Sequence, residues 1–229
     1  MVYRLISHFL SRRLALCLLC SRPAGTAAGI CHACSADLPQ LQCACPRCAL
    51  PLPVAATCPR CLRRPPAFDA AHCAWHYAYP VAQLVRRFKD RGDMAAAHSL
   101  TMLAAAQLGP PAPPPDILVP VPLHWRRYWQ RGFNQAQVIA TKLGDAWGLP
   151  VHTGKLRRAR AGASQRGLDR RQRLRNLEGC FVARGRFDGL HVGLVDDVMT
   201  TGATLEAAAR TLHSAGAVSI SAFALARTP

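Results

Sequence analysis

Two groups of residues in this chain have types and spacings that can do chemistry. The first is the run Asp196-Asp197-Val198-Met199-Thr200-Thr201-Gly202-Ala203-Thr204. Adjacent carboxylates can accept hydrogen bonds from the vicinal hydroxyls of a sugar. The Thr/Gly-rich turn after them offers backbone N–H groups, hydroxyls and the positive end of a helix dipole, which together can hold a phosphate monoester without a lysine. Acid pair plus phosphate cradle describes a ribose 5-phosphate site, with Mg²⁺ bridging any pyrophosphate nearby. The plainer alternative is that the acids cap a helix and the threonines satisfy a turn. An isolated Asp-Asp usually reads that way; the full nine-residue string at a strand-turn-helix junction argues against it.

The second group is cysteine. Of 11 cysteines, eight form the pairs Cys17/Cys20, Cys31/Cys34, Cys45/Cys48 and Cys58/Cys61. A two-residue spacer turns both sulfurs of a tight knuckle toward one ion, and two knuckles complete the tetrahedral thiolate site that Zn²⁺ prefers. Eight ligands serve one or two ions, paired in sequence or interleaved as a cross-brace. The competing reading is a disulfide framework, which needs an oxidising compartment. An all-cysteine zinc site leaves no open position for substrate, so zinc here is structural and catalysis lies elsewhere. Cys43 is close enough to compete as a ligand, whereas Cys73 and Cys180 read as buried small residues.

These groups need elements to position them. His191 to Val195 predicts a short buried strand, Thr204 to Ser214 a helix with Leu205, Ala208, Ala209, Leu212 and Ala215 on one face, and Val218 to Ala226 a second strand. Strand, helix and strand form a right-handed βαβ unit in a parallel sheet, with the Asp-Asp string at the carboxyl end of its first strand, where such sheets bind ligands. Upstream, residues 72 to 79 predict a strand, Val81 to Phe88 a short helix, Met94 to Leu108 a helix and Ile117 to Val121 a buried strand. Asn134 to Trp147 predicts a helix with Asn134 as N-cap, stopped by Gly148 and Pro150. Pro110 to Pro115 holds five prolines and must be an extended connection. Arg63-Arg64-Pro65-Pro66 marks a boundary between a zinc-binding domain, residues 1–66, and a second domain, residues 67–229.

With 229 residues, half of them hydrophobic, the chain can bury a real core and is no disordered tail. Lys plus Arg is 29 against 12 Asp plus Glu, a formal charge of +17. That excess points to polyanions such as nucleic acid, nucleotides or phosphorylated metabolites, although an Arg-rich genomic composition also contributes. No apolar run is long enough for a membrane span. Arg12, Arg13 and the stretch Leu14 to Cys20 mimic a signal or lipoprotein anchor, but the run is short and Leu19 stands where a small residue is expected. The expected location is the cytoplasm.

Two segments concentrate positive charge. Lys155 to Arg175 carries nine basic residues against the single Asp169, a local +8 that serves either phosphate binding or a solvated surface. Trp125-Arg126-Arg127-Tyr128-Trp129-Gln130-Arg131 alternates aromatics with arginines. Such a pattern suits a helix with its aromatics in the core and its arginines in water, or stacking on single-stranded nucleic acid. Arg126, Arg127, Arg131, Arg157 and Arg158 are the candidate contacts to pyrophosphate or DNA.

The stretch Val192 to Thr204 resembles the phosphoribosyl-pyrophosphate (PRPP) motif of type I phosphoribosyltransferases. Taken with the cysteine pairs, Phe88-Lys89-Asp90-Arg91-Gly92-Asp93, Val119-Pro120-Val121-Pro122-Leu123 and Arg131-Gly132-Phe133-Asn134-Gln135, it makes the chain similar to the ComF/GntX family, which includes competence proteins needed for DNA uptake. The resemblance covers nearly the whole chain in order. It implies an α/β fold: a type I phosphoribosyltransferase-like parallel sheet flanked by helices, preceded by the small cysteine-rich domain. It implies that Thr200, Thr201, Gly202, Ala203 and Thr204 hold the 5-phosphate. Asp196 and Asp197 would contact the ribose hydroxyls, help place Mg²⁺ and serve catalysis, and the loop after Val119 to Pro122 would bind pyrophosphate. A mobile loop closing over pyrophosphate falls in the basic segment, where Ser164, Gln165, Arg166 and Asn176 resemble family positions without an assignable role. Pyrophosphate would be displaced at the anomeric carbon by an acceptor that the resemblance does not name. The implied partners are PRPP, single-stranded DNA and proteins of the DNA-uptake machinery. Two functions follow: a Mg²⁺-dependent phosphoribosyltransferase, or a single-stranded-DNA-binding factor that keeps the fold without turnover.

Overall fold

The computed structural model describes residues 16–159 and 179–229. Most of the basic segment, including Ser164, Gln165, Arg166 and Asn176, lies outside the described residues, as do Arg12 and Arg13. In chain order the elements are α1 (His32–Ala36), α2 (Pro59–Arg63), β1 (Ala70–His76), α3 (Val81–Arg91), α4 (Met94–Leu108) and β2 (Ile117–Pro120). They continue with α5 (Trp125–Arg131), α6 (Gln135–Trp147), β3 (Leu156–Arg158), β4 (Phe181–Ala183), β5 (His191–Met199), α7 (Ala203–Ser214) and β6 (Ser219–Arg227).

Four strands form a sheet in the order β1-β6-β5-β2, with every pairing parallel. A parallel sheet needs cover on both faces, and its strands therefore read as nearly continuous apolar runs. Alternate residues sort accordingly. Leu118, Val195, Phe223 and Leu225 face a layer built by α3, α4 and α6, through residues such as Leu84, Phe88, Leu100, Ile139 and Leu143. Ile117, Val119, Val192, Leu194 and Ile220 face the other way, against Leu205, Ala208, Ala209 and Leu212 of α7 and Phe181 of β4. The small antiparallel hairpin β3-β4 stands apart from the main sheet.

Local sequence explains the punctuation. Asp93 accepts hydrogen bonds from the N–H groups of Ala95 and Ala96, both 3.1 Å, and so caps α4, while its other carboxylate oxygen pairs with Arg87 at 2.7 Å. The backbone donors and the guanidinium outweigh its partial burial and hold this carboxyl below its usual range. Asn134 is the N-cap of α6, accepting from Ala136 N–H and donating to the Val121 carbonyl at 3.0 Å. The proline-rich stretch contains neither helix nor strand, as its missing N–H groups require.

Several boundaries move from the sequence expectation. β1 starts at Ala70 and ends at His76, and α3 continues past Phe88 to Arg91, where Gly92 in the left-handed region ends it. β5 runs on through both aspartates to Met199, because β6 keeps pairing with it as far as Met199 opposite Arg227. Among the described residues no helix is long and apolar enough to cross a membrane.

The cysteine-rich residues lie along the open edge of β1. Leu41 N–H donates to the Ala74 carbonyl at 3.1 Å, His76 N–H to Pro39 at 2.8 Å and Ala71 N–H to Pro46 at 3.1 Å. The cysteines join the core layers on either side of the sheet: Cys17 with the α3–α4 side, Cys45, Cys48, Cys58 and Cys61 with the α7 side.

One strand position has no room for a side chain. A Cβ on Gly193 of β5 would stand 2.5 Å from Leu118 Cδ2 and 3.0 Å from the Pro115 ring. Gly193→Ala is therefore expected to lower stability by about 1–3 kcal/mol, the usual cost of overpacking, read as a shift in the urea midpoint at unchanged slope.

Candidate functional site

The two ends of β5 are paired differently. β2 accompanies it only from Val192 to Val195, the last bond being Val121 N–H to the Val195 carbonyl at 2.8 Å, while β6 continues to Met199. Among the described residues β5 is thus unpaired on its β2 side from Asp196 onward, at the carboxyl end of the sheet, the place where open α/β sheets bind ligands. Its free backbone donors turn to local acceptors: Asp197 N–H to Asp196 Oδ1 at 2.9 Å, and Val198 N–H to Asp197 Oδ1 at 2.6 Å. Both carboxylates are half-buried.

The strand leads directly into Thr200-Thr201-Gly202 and the start of α7. Gly202, at φ +76°, is the N-cap in the left-handed region, and it has no side chain to occupy the helix end. A Cβ there would meet Met199 Cε at 3.0 Å. Ala203 N–H reaches Thr201 Oγ1 at 3.4 Å, and Thr200 is exposed. The five residues Thr200 to Thr204 therefore form a compact turn at the N-terminus of a 12-residue helix, beside the acid pair. One acid of that helix's first turn, Glu206, is buried and occupied elsewhere, by Ala67 N–H at 2.8 Å and Arg210 at 2.6 Å.

Two adjacent carboxylates repel, and the fold divides them. Lys89, in the last turn of α3, pairs with Asp197 at 2.8 Å. Burial, then the Asp197 charge, push the Asp196 carboxyl up to about 7, against the opposing pull of Asp197 N–H, Lys89 and Arg158. Lys89 sits in a string quoted for its family likeness, but pattern alone assigned it no role; only the approach of α3 to β5 shows the pairing.

A cavity of about 630 Å³ lies between the end of β2, α5 and the β3-β4 hairpin. Pro120, Trp125, Tyr128, Arg157, Arg158 and Arg184 line it, and among the described residues no acid does. Neither aspartate lines it, nor does the Thr200–Thr204 turn. Arg158 is the link: it borders the cavity, feels the Asp196 charge and lies over the Phe181 ring at 5.6 Å. Its Nε is buried and, among the described residues, has no hydrogen-bond partner. Burial lowers this guanidinium's pKa.

The remaining arginine candidates separate. Arg131 turns back, bonding Gln135 Oε1 at 3.1 Å and approaching Asp90 at 4.0 Å. Arg126 and Arg127 stay exposed on α5, with Arg126 over the Trp125 ring at 5.3 Å. The expectation that the aromatics of this helix enter the core is incorrect. No residue of α5 is buried, and Trp125, Tyr128 and Trp129 are 59%, 48% and 81% exposed. The helix is short and held by its ends, so its apolar rings stay on the surface.

The cysteines form two compact tetrads, Cys17/Cys20/Cys31/Cys34 and Cys45/Cys48/Cys58/Cys61, each with all four sulfurs within 4.8 Å of one another. The pairing is therefore sequential, and no cross-brace forms. Cys20 and Cys31 sulfurs are 3.8 Å apart, Cys48 and Cys58 sulfurs 3.7 Å. A tetrahedral site with Zn–S of about 2.3 Å needs edges of about 3.8 Å, whereas a disulfide needs about 2.05 Å, so the geometry fits zinc. Cys31 N–H and Cys58 N–H each point at a sulfur of the preceding knuckle, Cys17 and Cys45, at 3.4 Å. Although burial works the other way, such backbone donors bring Cys17 down to about 6 and Cys45 to about 7, whereas hydrogen bonding to neighbouring sulfurs raises Cys34 and burial raises Cys48 and Cys61, so that without an ion each tetrad divides into lowered and raised thiols. Cys43 stands outside both tetrads, and Cys73 is buried, its thiol pushed up to about 12 by burial.

Comparison with known proteins agrees on the cysteine region and extends beyond it. A family described as "Double zinc ribbon domain" matches residues 7–62. The chain is 36% identical over 224 residues to the DNA utilization protein YhgH of Salmonella typhi, covering 93% of this chain and 97% of that one. It is 33% identical over 178 residues to competence protein F of Haemophilus influenzae, covering 74% and 78%, and 30% identical over 210 residues to competence protein ComFC of Bacillus subtilis, covering 87% and 84%. Among solved structures, a purine phosphoribosyltransferase from Pyrococcus horikoshii superposes with a TM-score of 0.37 at 20% identity, over 57% of this chain and 72% of that one.

The position of Asp196 makes stability depend on pH. An ordinary aspartate titrates near 3.9 and Asp196 at about 7, so between these values the folded chain holds a proton that the unfolded chain has released. This contribution is complete at low pH and is lost as pH rises through about 7. Asp196→Asn is expected to raise the melting temperature clearly more at pH 8 than at pH 5, the gain vanishing only below about pH 4, as read by thermal unfolding across that range.

Proposed function

This chain belongs to the ComF family, and we propose that its β5–α7 junction binds PRPP and supports transfer of the phosphoribosyl group to an acceptor. The observation that carries this reading is the junction itself: an acid pair on a strand end left bare by β2, continuous with a Thr-Gly turn that opens a helix with no side-chain cap. The turn from Thr200 to Thr204 suits a dianionic phosphate, which gains from N–H groups and the helix dipole together. Asp196 and Asp197 are placed to accept hydrogen bonds from the two ribose hydroxyls.

Mg²⁺ binds through one or two carboxylates together with substrate phosphates and retained water. The acid pair fits that mode, since Lys89 already engages one of its oxygens and no third acid joins it among the described residues. When bound, the ion would neutralise charge on the departing pyrophosphate. The chain's own contribution is fixed positive charge. Arg158, whose buried Nε has no hydrogen-bond partner among the described residues and which lines the cavity, is placed to receive anionic oxygens, and Arg157 and Arg184 share that lining. In the reaction, the C1–O bond to pyrophosphate breaks as a lone pair of the acceptor bonds to C1, through an oxocarbenium-like state; no side chain acts as nucleophile. The cavity is large enough for an acceptor, and its arginines favour an anionic or aromatic one.

Calorimetric titration with PRPP and Mg²⁺ tests the reading. The wild type is expected to show saturable binding, and a variant carrying Asp196→Asn and Asp197→Asn to lose it at least about tenfold. Absence of binding by the folded, zinc-loaded wild type sinks the proposal.

A second reading, single-stranded DNA binding, is supported by the face of α5. Trp125, Tyr128 and Trp129 offer ring surfaces to solvent beside Arg126 and Arg127, and stacking of a base on such a ring contributes about 1–3 kcal/mol. Names of relatives that mention DNA utilization and competence agree with it. Trp129→Ala is expected to weaken binding of a labelled single strand about tenfold without changing the salt slope, because the ring carries no charge. Arg126→Ala with Arg127→Ala is expected to flatten that slope. Fluorescence anisotropy at several salt concentrations separates the two; equal affinity for all variants would exclude α5 as the contact.

A further inference from the structure

Arg227, the last residue of β6, is 1% exposed and ranks among the largest fully buried side chains. A guanidinium so placed normally meets a carboxylate, yet no acid pairs with it among the described residues. It is held instead by carbonyl oxygens from two directions. Its Nε donates to Cys48 at 3.1 Å. Its Nη1 donates to Met199 at 3.2 Å and also to the carbonyls of Thr200 and Thr228. Cys48 belongs to the second, wholly buried cysteine tetrad, and Met199 and Thr200 lead into the turn assigned above to the 5-phosphate.

We propose that Arg227 is a positioning residue that couples the second cysteine tetrad to the Thr200–Thr204 turn, so that zinc held by Cys45, Cys48, Cys58 and Cys61 fixes the phosphate cradle. Two arguments carry it. First, four thiolates around one Zn²⁺ leave a net charge of −2 in an apolar layer, and Arg227 is the buried cation whose side chain touches that tetrad's own backbone. Secondly, one rigid, planar fork spans both segments, so a shift of the Cys48 loop must be taken up by the carbonyls at Met199 and Thr200. The packing agrees: Cys45, Cys48, Cys58 and Cys61 share one apolar cluster with Met199, Ala203 and Leu205. The first tetrad has no comparable tie to this turn; its Leu18 carbonyl accepts from Arg87 of α3, and its Cys20 is exposed.

The ligand half of this inference rests on the PRPP reading, so the experiment measures the turn and the ligand separately. Full-length, zinc-loaded wild type, Arg227→Met, Arg227→Lys, Cys58→Ser and Cys20→Ser are compared. Hydrogen–deuterium exchange over residues 199–205 is expected to rise in Arg227→Met and Cys58→Ser and to stay at the wild-type level in Cys20→Ser. PRPP affinity should fall about tenfold in the first two, the scale of a lost charge-assisted hydrogen-bond set. Arg227→Met should also surrender one of two zinc ions faster to a chromogenic chelator, and Arg227→Lys, which keeps the charge but not the fork, should retain zinc better than it retains affinity. If Arg227→Met does not fold, the two cysteine variants decide. Unchanged exchange in Cys58→Ser, or an equal rise in Cys20→Ser, overturns the coupling. If exchange rises as expected while the wild type binds no PRPP, the coupling stands and the ligand assignment falls.

Discussion

The stagger between β2 and β6 along β5 is the constraint on which the rest depends. β6 stays paired to β5 through Met199, while β2 stops at Val195. One side of β5 is therefore braced over its full length and the other is released four residues earlier. Bracing keeps Asp196 to Met199 extended, and release opens the space that a ligand would need. Without the brace the acid pair would lie in a loop and lose its fixed spacing to Gly202; without the release it would be sealed in the sheet. Lys89, Arg158 and the cap-free start of α7 all converge on that short half-buried stretch from different elements.

Charge is then managed by unequal environments. Asp197 is matched by Lys89, whereas Asp196 is left to burial and to its neighbour's field, and the two acids cease to be equivalent. A paired carboxylate beside one that burial keeps partly protonated is a lower local charge density than two free aspartates would give. The adjoining cavity runs the other way, with arginines and, among the described residues, no acid in its lining. The strong positive excess of the chain is thus spatially sorted: a mixed site at the strand ends beside a purely basic one.

Much of this could be read from residues alone, and what could not has a common physical reason. The βαβ unit around the acid string, the Asn134 cap and the cysteine knuckles are local patterns, with periods and spacings of a few residues, and they stand where the sequence places them. The sequential grouping of knuckles, the ion pair of Lys89 with Asp197, and Arg227 among carbonyls depend on chain segments separated by up to 179 positions. No local period encodes such meetings. The face of α5 differs for the opposite reason: its alternation of rings and arginines suits a half-buried helix, but among the described residues none buries it, so the pattern describes a surface. β5 ran longer than its apolar stretch because pairing with β6, not hydrophobicity, sets its end.

Both margins of the sheet are closed by segments outside it. On one side, residues 39–46 bond to β1, and on the other Pro150 and His152 bond to Leu118 of β2. An uncovered parallel edge is a row of unsatisfied donors and acceptors that any passing chain can extend. On the β1 side the covering segment is stapled at each end by a cysteine tetrad, Cys34 before it and Cys45 within it. The cysteine tetrads therefore stand at a boundary as well as in a shape: the selvage of the sheet is hemmed by a segment anchored at both of them.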